Sequence, residues 1–252
     1  MAFSRGFERH WKLWALGVVA ALLVLGVGGP YVYIHFVEGT APAPLSLSSG
    51  ATPAGGGTTT IAAAAQPGTS AAVPSASAST IDGTWNVTSG STAGYRIKET
   101  LLGQSNTAVG RTSAVTGSIV ISGSSVPTGS FSVDLTRVSS DRSQRDGQFQ
   151  GRIMDTAKFP TATFALSSPM QFGAAPADGV EVAAPAVGNL SVHGVTKPVT
   201  FQVAAKRSGA TIEVSGSIPI VFADYGIANP SGGPATTEDN GILEFLIELA
   251  HG

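Results

Sequence analysis

The chain has 252 residues, no cysteine and a formal net charge of -2. These values exclude a disulfide framework, a thiolate zinc site, a cysteine nucleophile and a strongly basic surface for nucleic acid. The composition is uneven along the chain, and only residues 82–252 have the mixture expected of a globular domain.

The first predicted element is an uncharged, largely apolar run at residues 13–37. At about 1.5 Å of rise per residue, a helix of this length crosses a hydrocarbon core of about 30 Å. Residues 1–12 carry Arg5, Arg9 and Lys12, and this positive charge places the N-terminus in the cytoplasm. We therefore predict a single-pass cell-membrane anchor with an extracytoplasmic C-terminal domain. A cleaved signal peptide is the alternative.

Residues 38–81 follow as a tract of Ala, Gly, Ser, Thr and Pro. After Glu38 it contains no charged and no aromatic residue, so it lacks the side chains that build a core. We predict a flexible, disordered linker, with a root-mean-square reach of roughly 35 Å.

The remaining part, residues 82–252, consists of short segments in which apolar and polar residues alternate with period two. This pattern is typical of strands with one buried face. The predicted strands are 85–87, 95–101, 115–121, 131–136, 164–166, 190–192, 199–203, 211–214 and 243–249, and 148–156 is a short helix. About eight strands without βαβ alternation favour an antiparallel barrel or sandwich, and a barrel leaves no exposed edge.

Three motifs in this domain resemble the YceI-like family. The first, at residues 139–164, has an Arg-Asp pair, a short helical segment and an aromatic-proline step into a strand; the second is GNLSVHGVTKPV at 188–199, and the third is FADYGI at 222–227. The residues of the first motif that carry the resemblance are Arg145, Asp146, Phe149, Asp155, Phe159, Pro160, Thr163 and Phe164. The resemblance implies an all-β, antiparallel, lipocalin-like β-barrel that binds polyisoprenoid lipids outside the cytoplasm.

The resemblance thus predicts binding of an isoprenoid quinone, a polyprenyl chain or a similar amphiphilic lipid in a hydrophobic cavity, with no cofactor and no covalent chemistry. The residues that line this cavity are assigned from two criteria, the inward positions of the alternating strands and the positions of the family motifs. They are Phe131, Val133, Leu135, Phe149, Ile153, Phe159, Phe164, Leu190, Val192, Phe201, Val203, Phe222, Tyr225, Phe245 and Ile247.

A polar cluster, Arg142, Arg145 and Asp146, lies in the loop before the short helix. An arginine at the barrel mouth could contact a lipid head group, such as a phosphate or a quinone oxygen. The alternative is an ion pair that braces the loop.

Other polar residues do not predict catalysis or a metal site. No Gly-x-Ser-x-Gly motif occurs, and His193 has no second histidine or cysteine at ligand spacing, which indicates a turn residue. Glu244 and Glu248 fall on the outward face of the last strand, where solvation by water would explain them.

Two other functions remain open from the sequence. One is a surface-display or adhesion module whose barrel is filled by its own side chains, since a filled core shows the same alternation. The other is a lipid-modifying enzyme, for which no residue set can be nominated. A homodimer is possible as well.

Overall fold

The computed structural model describes residues 16–22, 41–48, 81–101, 103–173, 177–232 and 235–252. The strands in chain order are β1 (Gly83–Val87), β2 (Thr92–Leu101), β3 (Gln104–Thr112), β4 (Val115–Ser122), β5 (Ser125–Asp134), β6 (Ser139–Ser140), β7 (Thr161–Leu166), β8 (Met170–Gln171), β9 (Glu181–Val192), β10 (Val195–Ser208), β11 (Thr211–Val221), β12 (Ala235–Thr237) and β13 (Asn240–His251). Helix α1 (Ser143–Gln148) continues into a π-helical turn (Phe149–Ile153), and Leu135–Arg137 and Phe222–Tyr225 form 3₁₀ turns.

Eight antiparallel strands close into a barrel in the order β1, β4, β5, β7, β9, β10, β11, β13. The closure is made by β1 and β13, which pair Trp85 with His251 and Val87 with Leu249. Since every strand of this ring has a neighbour on both sides, the ring has no open edge. The predicted all-β antiparallel barrel with a short helix is confirmed.

A second layer of pairing completes one end of the barrel. At its N-terminal half β13 pairs with β2 instead of β1, through Ile242 to Leu246, and β2 pairs in turn with β3. Strand β3 then pairs with β6, which leads into α1. The same end of the barrel therefore carries the β2–β3 hairpin and the helix.

The sequence pattern missed β3 and the first half of β9. Strand β3 (QSNTAVGRT) has few large apolar residues, and the inward positions of β9 include Ala184, Ala186 and Gly188. Small inward residues give a weak period-two signal, although they are buried all the same. The helix was also misplaced, because it begins at Ser143 and the π-helical turn ends at Ile153, whereas 148–156 was predicted.

The longest hairpin joins β9 and β10 through His193 and Gly194, both with positive φ. A two-residue turn of this kind matches the twist of the two strands. At Gly194 an added Cβ would lie 2.5 Å from the ring of Phe159, so glycine is required there for space as well as for conformation. The prediction that His193 is a turn residue is confirmed.

The predicted membrane helix lies largely outside the described residues. Within it, residues 16–22 are helical, and Leu16, Val18, Val19 and Leu22 are exposed. In the parts of the chain that the structure describes, no helix has the length and apolar character needed to cross a membrane.

Of the predicted linker, the structure describes residues 41–48 and Ile81, and residues 38–40 and 49–80 lie outside the described residues. Residues 41–48 lie on the outer face of the barrel, where they contact β2, β3, β10, β11 and β13. Beneath them Glu244 is only 4% exposed. The prediction that water solvates Glu244 is therefore wrong, because protein groups cover it.

Candidate functional site

A cavity of about 770 Å³ runs through the interior of the barrel. The inward side chains of all eight ring strands except β1 line it, together with one face of the helical segment 143–153. The volume lies within the range of about 300–1,000 Å³ that is typical of sites for small organic ligands. A barrel filled by its own side chains would leave less space than this, so the cavity favours a ligand-binding barrel over the filled-barrel alternative.

Small side chains on β9 create much of the space. Ala184 and Ala186 point inward and are 4% and 2% exposed, and both line the cavity. Ala186 pairs with Phe201 on the neighbouring strand β10, and the Phe201 ring borders the same space. A larger residue at either alanine would therefore extend into the cavity.

A chain of aromatic rings crosses the middle of the cavity wall. Phe164 on β7 meets Phe201 edge to face with ring centroids 5.2 Å apart, and Phe201 meets Phe245 on β13 at 5.9 Å. Edge-to-face geometry is the arrangement that the ring quadrupoles favour. The wall is apolar at this level and offers dispersion contacts to an apolar ligand.

One end of the cavity is polar, and we call it the mouth. It is formed by residues 142–153, the end of β2, β12 and the loop before β12. The polar residues that line it are Glu99, Arg142, Gln144, Arg145, Gln148, Arg152, Ser231 and Thr237. The lining of the mouth contains three arginines and one glutamate, and Asp141 forms ion pairs with Arg142 and Arg145 beside it.

The helical segment lines the mouth because of its periodicity. Residues Gln144, Arg145, Gln148, Phe149, Arg152 and Ile153 border the cavity, and they recur at intervals of three to four positions. This spacing places them on one helical face. The face carries its polar groups beside the apolar Phe149 and Ile153, which makes the mouth amphiphilic.

Arg145 is held by two carboxylates. Its Nη2 lies 3.2 Å from Glu99 Oε1, and its Nη1 donates to Asp141. Asp146 instead accepts two hydrogen bonds from Ser140, from the backbone N–H at 2.7 Å and from the hydroxyl at 2.6 Å. The alternative of a loop-bracing ion pair is thus correct for Arg145, although its partners are Glu99 and Asp141 and not Asp146.

Tyr95 lies just inside the mouth, with its ring stacked on Phe149 at a centroid distance of 5.1 Å. Burial raises the pKa of the Tyr95 hydroxyl to about 12, and the positive charge of Arg145 opposes part of this shift. The phenol therefore stays neutral at physiological pH and offers a hydroxyl group at the boundary between the polar mouth and the apolar wall.

Most of the predicted lining residues border the cavity. They are Phe131, Val133, Leu135, Phe149, Ile153, Phe164, Leu190, Val192, Phe201, Val203, Phe222, Phe245 and Ile247, and the predicted head-group residues Arg142 and Arg145 join them. That these residues bind a ligand stays a prediction.

Two predicted lining residues do not border the cavity. Phe159 packs outside the barrel interior against His193, with ring centroids 4.6 Å apart. Tyr225 is buried in the 3₁₀ turn after β11, and its carbonyl oxygen accepts a hydrogen bond from His193 Nδ1 at 3.2 Å. Both lie outside the strands, where strand parity does not determine which way a side chain points.

Several lining residues were missed by sequence reasoning. They include Tyr95, Ile97, Ala184, Ala186, Ile218, Ile220 and Arg152. The signal for Ile218 and Ile220 was present, since they continue the alternation of Ile212 and Val214 along β11. Arg152 could not be identified, because it depends on where the helix begins.

Residues of metal-ligating type do not gather at the mouth or elsewhere in the described part of the chain. Over those residues, no group of three or more histidines, aspartates or glutamates is arranged to hold a metal ion. The polar groups of the mouth are arginines, glutamines and hydroxyls in the main. Such groups are suited to hydrogen-bond to a polar ligand.

Comparison with known proteins identifies relatives of this domain. The sequence model of the YceI-like domain matches residues 71–249. A UPF0312 protein of Yersinia pestis is 32% identical over 120 residues, which cover 44% of this chain and 57% of the relative. The protein YceI of Salmonella arizonae is 31% identical over 126 residues, 47% of this chain and 56% of the relative. The chain thus spans little more than half the length of these relatives.

A solved structure has the same fold. A polyisoprenoid binding domain from Saccharophagus degradans, implicated in plant cell wall breakdown, superposes with a TM-score of 0.55 at 17% sequence identity. The match covers 68% of this chain and 99% of that domain. At this identity the likeness concerns the barrel fold alone.

Proposed function

This chain belongs to the YceI-like domain family, and we propose that it binds a polyisoprenoid or similar amphiphilic lipid in its barrel cavity. The observation that carries the proposal is a cavity of about 770 Å³ whose wall is mainly apolar and which has a cluster of polar groups at the mouth. A related fold described as a polyisoprenoid binding domain supports it.

The physical driving force is the burial of apolar surface. Full burial of one CH₂ group contributes about 0.8 kcal/mol, so an isoprene unit of about five carbons contributes up to about 4 kcal/mol before the cost of ordering the chain. The aromatic and aliphatic wall removes this surface from water without any reactive group. Binding, not covalent chemistry, is the function that this geometry supports.

The polar mouth favours a lipid with a polar head group over a plain hydrocarbon. A tail inside the barrel would place its head group among Arg142, Gln144, Gln148 and Arg152, within reach of the Tyr95 hydroxyl. The guanidinium groups match a phosphate or pyrophosphate, while the hydroxyl and the amides also match a quinone oxygen. We propose an anionic head group first, because three guanidinium groups line the mouth.

We further propose that the domain works outside the cytoplasm and that the N-terminal hydrophobic run holds it at the membrane. The support is the uncharged run at residues 13–37 with its preceding basic residues. A carrier that is tethered to the membrane remains at high local concentration near the lipid that it binds.

The test is direct extraction of the ligand. Residues 41–252 contain every described element of the barrel, and they are expressed in cells that make polyprenyl lipids and purified without detergent. Mass spectrometry of an organic extract should detect a polyprenyl lipid at close to one molecule per chain. Absence of lipid from protein with a cooperative unfolding transition, together with no uptake of a polyprenyl phosphate probe, would refute the proposal.

A further inference from the structure

Residues 41–48 (APAPLSLS) cross the outer face of the barrel in an extended conformation, and we call them the strap. They start beside β3 and β2, pass over β13 and end at β11 and β10. Leu45 and Leu47 are half-buried, while Ser46 and Ser48 are exposed. This alternation is that of a strand with one face packed on the protein.

The first group of contacts surrounds Glu244, whose carboxylate is buried on the outside of β13. Arg111 Nη2 lies 2.7 Å from Glu244 Oε1, and Arg96 Nε lies 3.3 Å from Oε2. A buried carboxylate needs such partners, since desolvation without them is costly. The two arginines thus form a fixed frame around Glu244.

This frame binds the backbone of the strap. Arg96 Nη2 donates to the carbonyl oxygen of Pro42 at 2.6 Å, and Arg111 Nη2 donates to that of Ala43. The N–H of Leu45 donates to Glu244 Oε2 at 3.3 Å. Two arginine side chains thus donate hydrogen bonds to strap carbonyl groups, and the Glu244 carboxylate accepts one from a strap N–H.

The second group of contacts lies at the C-terminal end of the strap. Glu213 Oε2 accepts from the Ser48 N–H at 2.9 Å and from the Ser48 hydroxyl at 2.5 Å, and Lys206 Nζ donates to the Ser48 carbonyl. Lys206 lies 4.0 Å from Glu213, and Glu248 is the cross-strand neighbour of Glu213 on β13. Hydrogen bonds to charged groups are among the stronger ones in proteins.

The sequence of the strap suits such a site. Pro42 and Pro44 fix φ near the extended region and lack an N–H, so they leave no donor without a partner. Leu45 and Ser48 supply N–H groups where the two carboxylates stand. A proline-containing extended segment loses less conformational entropy on docking than a flexible one.

We infer that the outer face of the barrel, built around Glu244 and Glu213, is a binding site for an extended proline-containing segment that residues 41–48 of the same chain occupy. The strap starts on the side of the mouth, because Arg111 pairs with Ser139 a few residues before α1. It ends towards the β10–β11 turn, where Glu213 lies near Thr211.

The strap has a consequence for the tether, which rests on the proposed membrane anchor. From Val37, where the hydrophobic run ends, to Ala41 the chain spans at most about 14 Å. Without the strap, the first barrel residue Ile81 could move up to about 150 Å from Val37. Docking of the strap therefore keeps the barrel close to the end of the hydrophobic run, with the mouth end of the barrel nearest to it.

Hydrogen exchange of the full-length chain in lipid nanodiscs tests the strap. The amides of Leu45 and Ser48 should exchange at least tenfold more slowly than their intrinsic rates. The substitution Ser48→Ala removes the hydroxyl that bonds Glu213 and should speed exchange at Leu45 about three- to tenfold. Ser46→Ala is the matched control, because the Ser46 side chain is exposed, and it should leave the rate unchanged.

Two results would overturn the inference. The first is exchange of both amides at intrinsic rates. The second is protection that falls on dilution as a dimer dissociates, since the site would then hold the strap of a second copy. Neither depends on a lipid ligand, so failure of the strap and failure of the proposed lipid binding are distinguishable.

Energy transfer measures the effect on the tether. The chain has no cysteine, so Ala228→Cys near the mouth gives a unique dye position, with acceptor dyes on the nanodisc lipids. Combining Leu45→Pro with Ser48→Ala should lower the transfer efficiency at least twofold. Equal efficiency in the strapped and the doubly substituted chain would show that the strap does not set the distance.

Discussion

Substitution of Ala186 by phenylalanine distinguishes a lipid-binding cavity from a structural core. Ala186 is 2% exposed, points inward from β9 and borders the cavity opposite Phe201. A phenylalanine ring placed there is expected to extend into the cavity beside Phe201. We therefore expect the free energy of unfolding without lipid to stay unchanged or to rise.

Lipid binding should respond in the opposite direction. A buried aromatic side chain covers about 150–250 Å² of surface, and at about 25 cal/mol per Å² this corresponds to about 4–6 kcal/mol of lipid burial that is lost. Because the lipid tail can bend around the ring, we expect a smaller net effect, a loss of affinity of about a hundredfold or more.

The assay combines denaturant unfolding with titration of a fluorescent polyprenyl phosphate on residues 41–252. Val187→Phe is the matched control, since Val187 is the next residue of β9 and is 38% exposed on the outward face. A loss of stability of about 1–3 kcal/mol in Ala186→Phe, as overpacking of a filled core produces, would refute the cavity. Equal lipid affinity in Ala186→Phe and the unsubstituted protein would refute its role in binding.

Further predictions concern the mouth, alkaline pH and acidic pH. Arg152→Gln should weaken binding of polyprenyl phosphate relative to the uncharged polyprenol by up to about fivefold, as expected for loss of an exposed ion pair. Arg137→Gln is the control, because Arg137 is exposed away from the cavity, and it should not change the ratio of the two affinities. Burial raises the pKa of Tyr95 to about 12. The neutral phenol therefore contributes its full stabilisation below the ordinary tyrosine pKa of 10, and this stabilisation is lost as the pH rises towards 12. Tyr95→Phe should flatten the fall in the free energy of unfolding between pH 10 and 12. Burial acts to raise the pKa of Glu213, but the hydrogen bonds from Ser48 and the nearby lysine outweigh it, and the pKa lies below 4.5. Strap docking should thus be complete above pH 4.5 and weaken as the pH falls through the lowered pKa, which hydrogen exchange at the Ser48 amide, corrected for its intrinsic rate, would detect; unchanged protection down to pH 2 would contradict this assignment.

The outer face illustrates how a tertiary contact can reverse a prediction from the sequence. Glu244 occupies an outward position of β13, and its neighbours in the chain give no sign of burial. Its burial depends on Arg96, Arg111 and Leu45, which are separated from it by 148, 133 and 199 positions. A local pattern shows which residues of a strand point outward, but it does not show whether another segment covers that outer face.

The local alternation of apolar and polar residues determined the fold class of this protein. Residues such as Phe131, Val133, Phe245 and Ile247 recur with period two, and burial of one strand face is the only way to remove so many apolar groups from water. The motif around His193 and Gly194 fixed the hairpin, because its turn requires positive φ at both residues. Fold class, family and most of the large lining residues were therefore predictable from the sequence.

The tertiary structure alone decided whether the barrel is hollow. The same alternation would fill a barrel or line a cavity, and the outcome depends on small inward residues of β9 such as Ala184 and Ala186, which border the cavity. It also decided that Arg145 pairs with Glu99, and that the strap lies on the barrel, since both contacts join residues far apart in the chain. Period and turn chemistry are local properties, whereas a cavity, a mouth and a docked segment exist only once the ring of strands has closed.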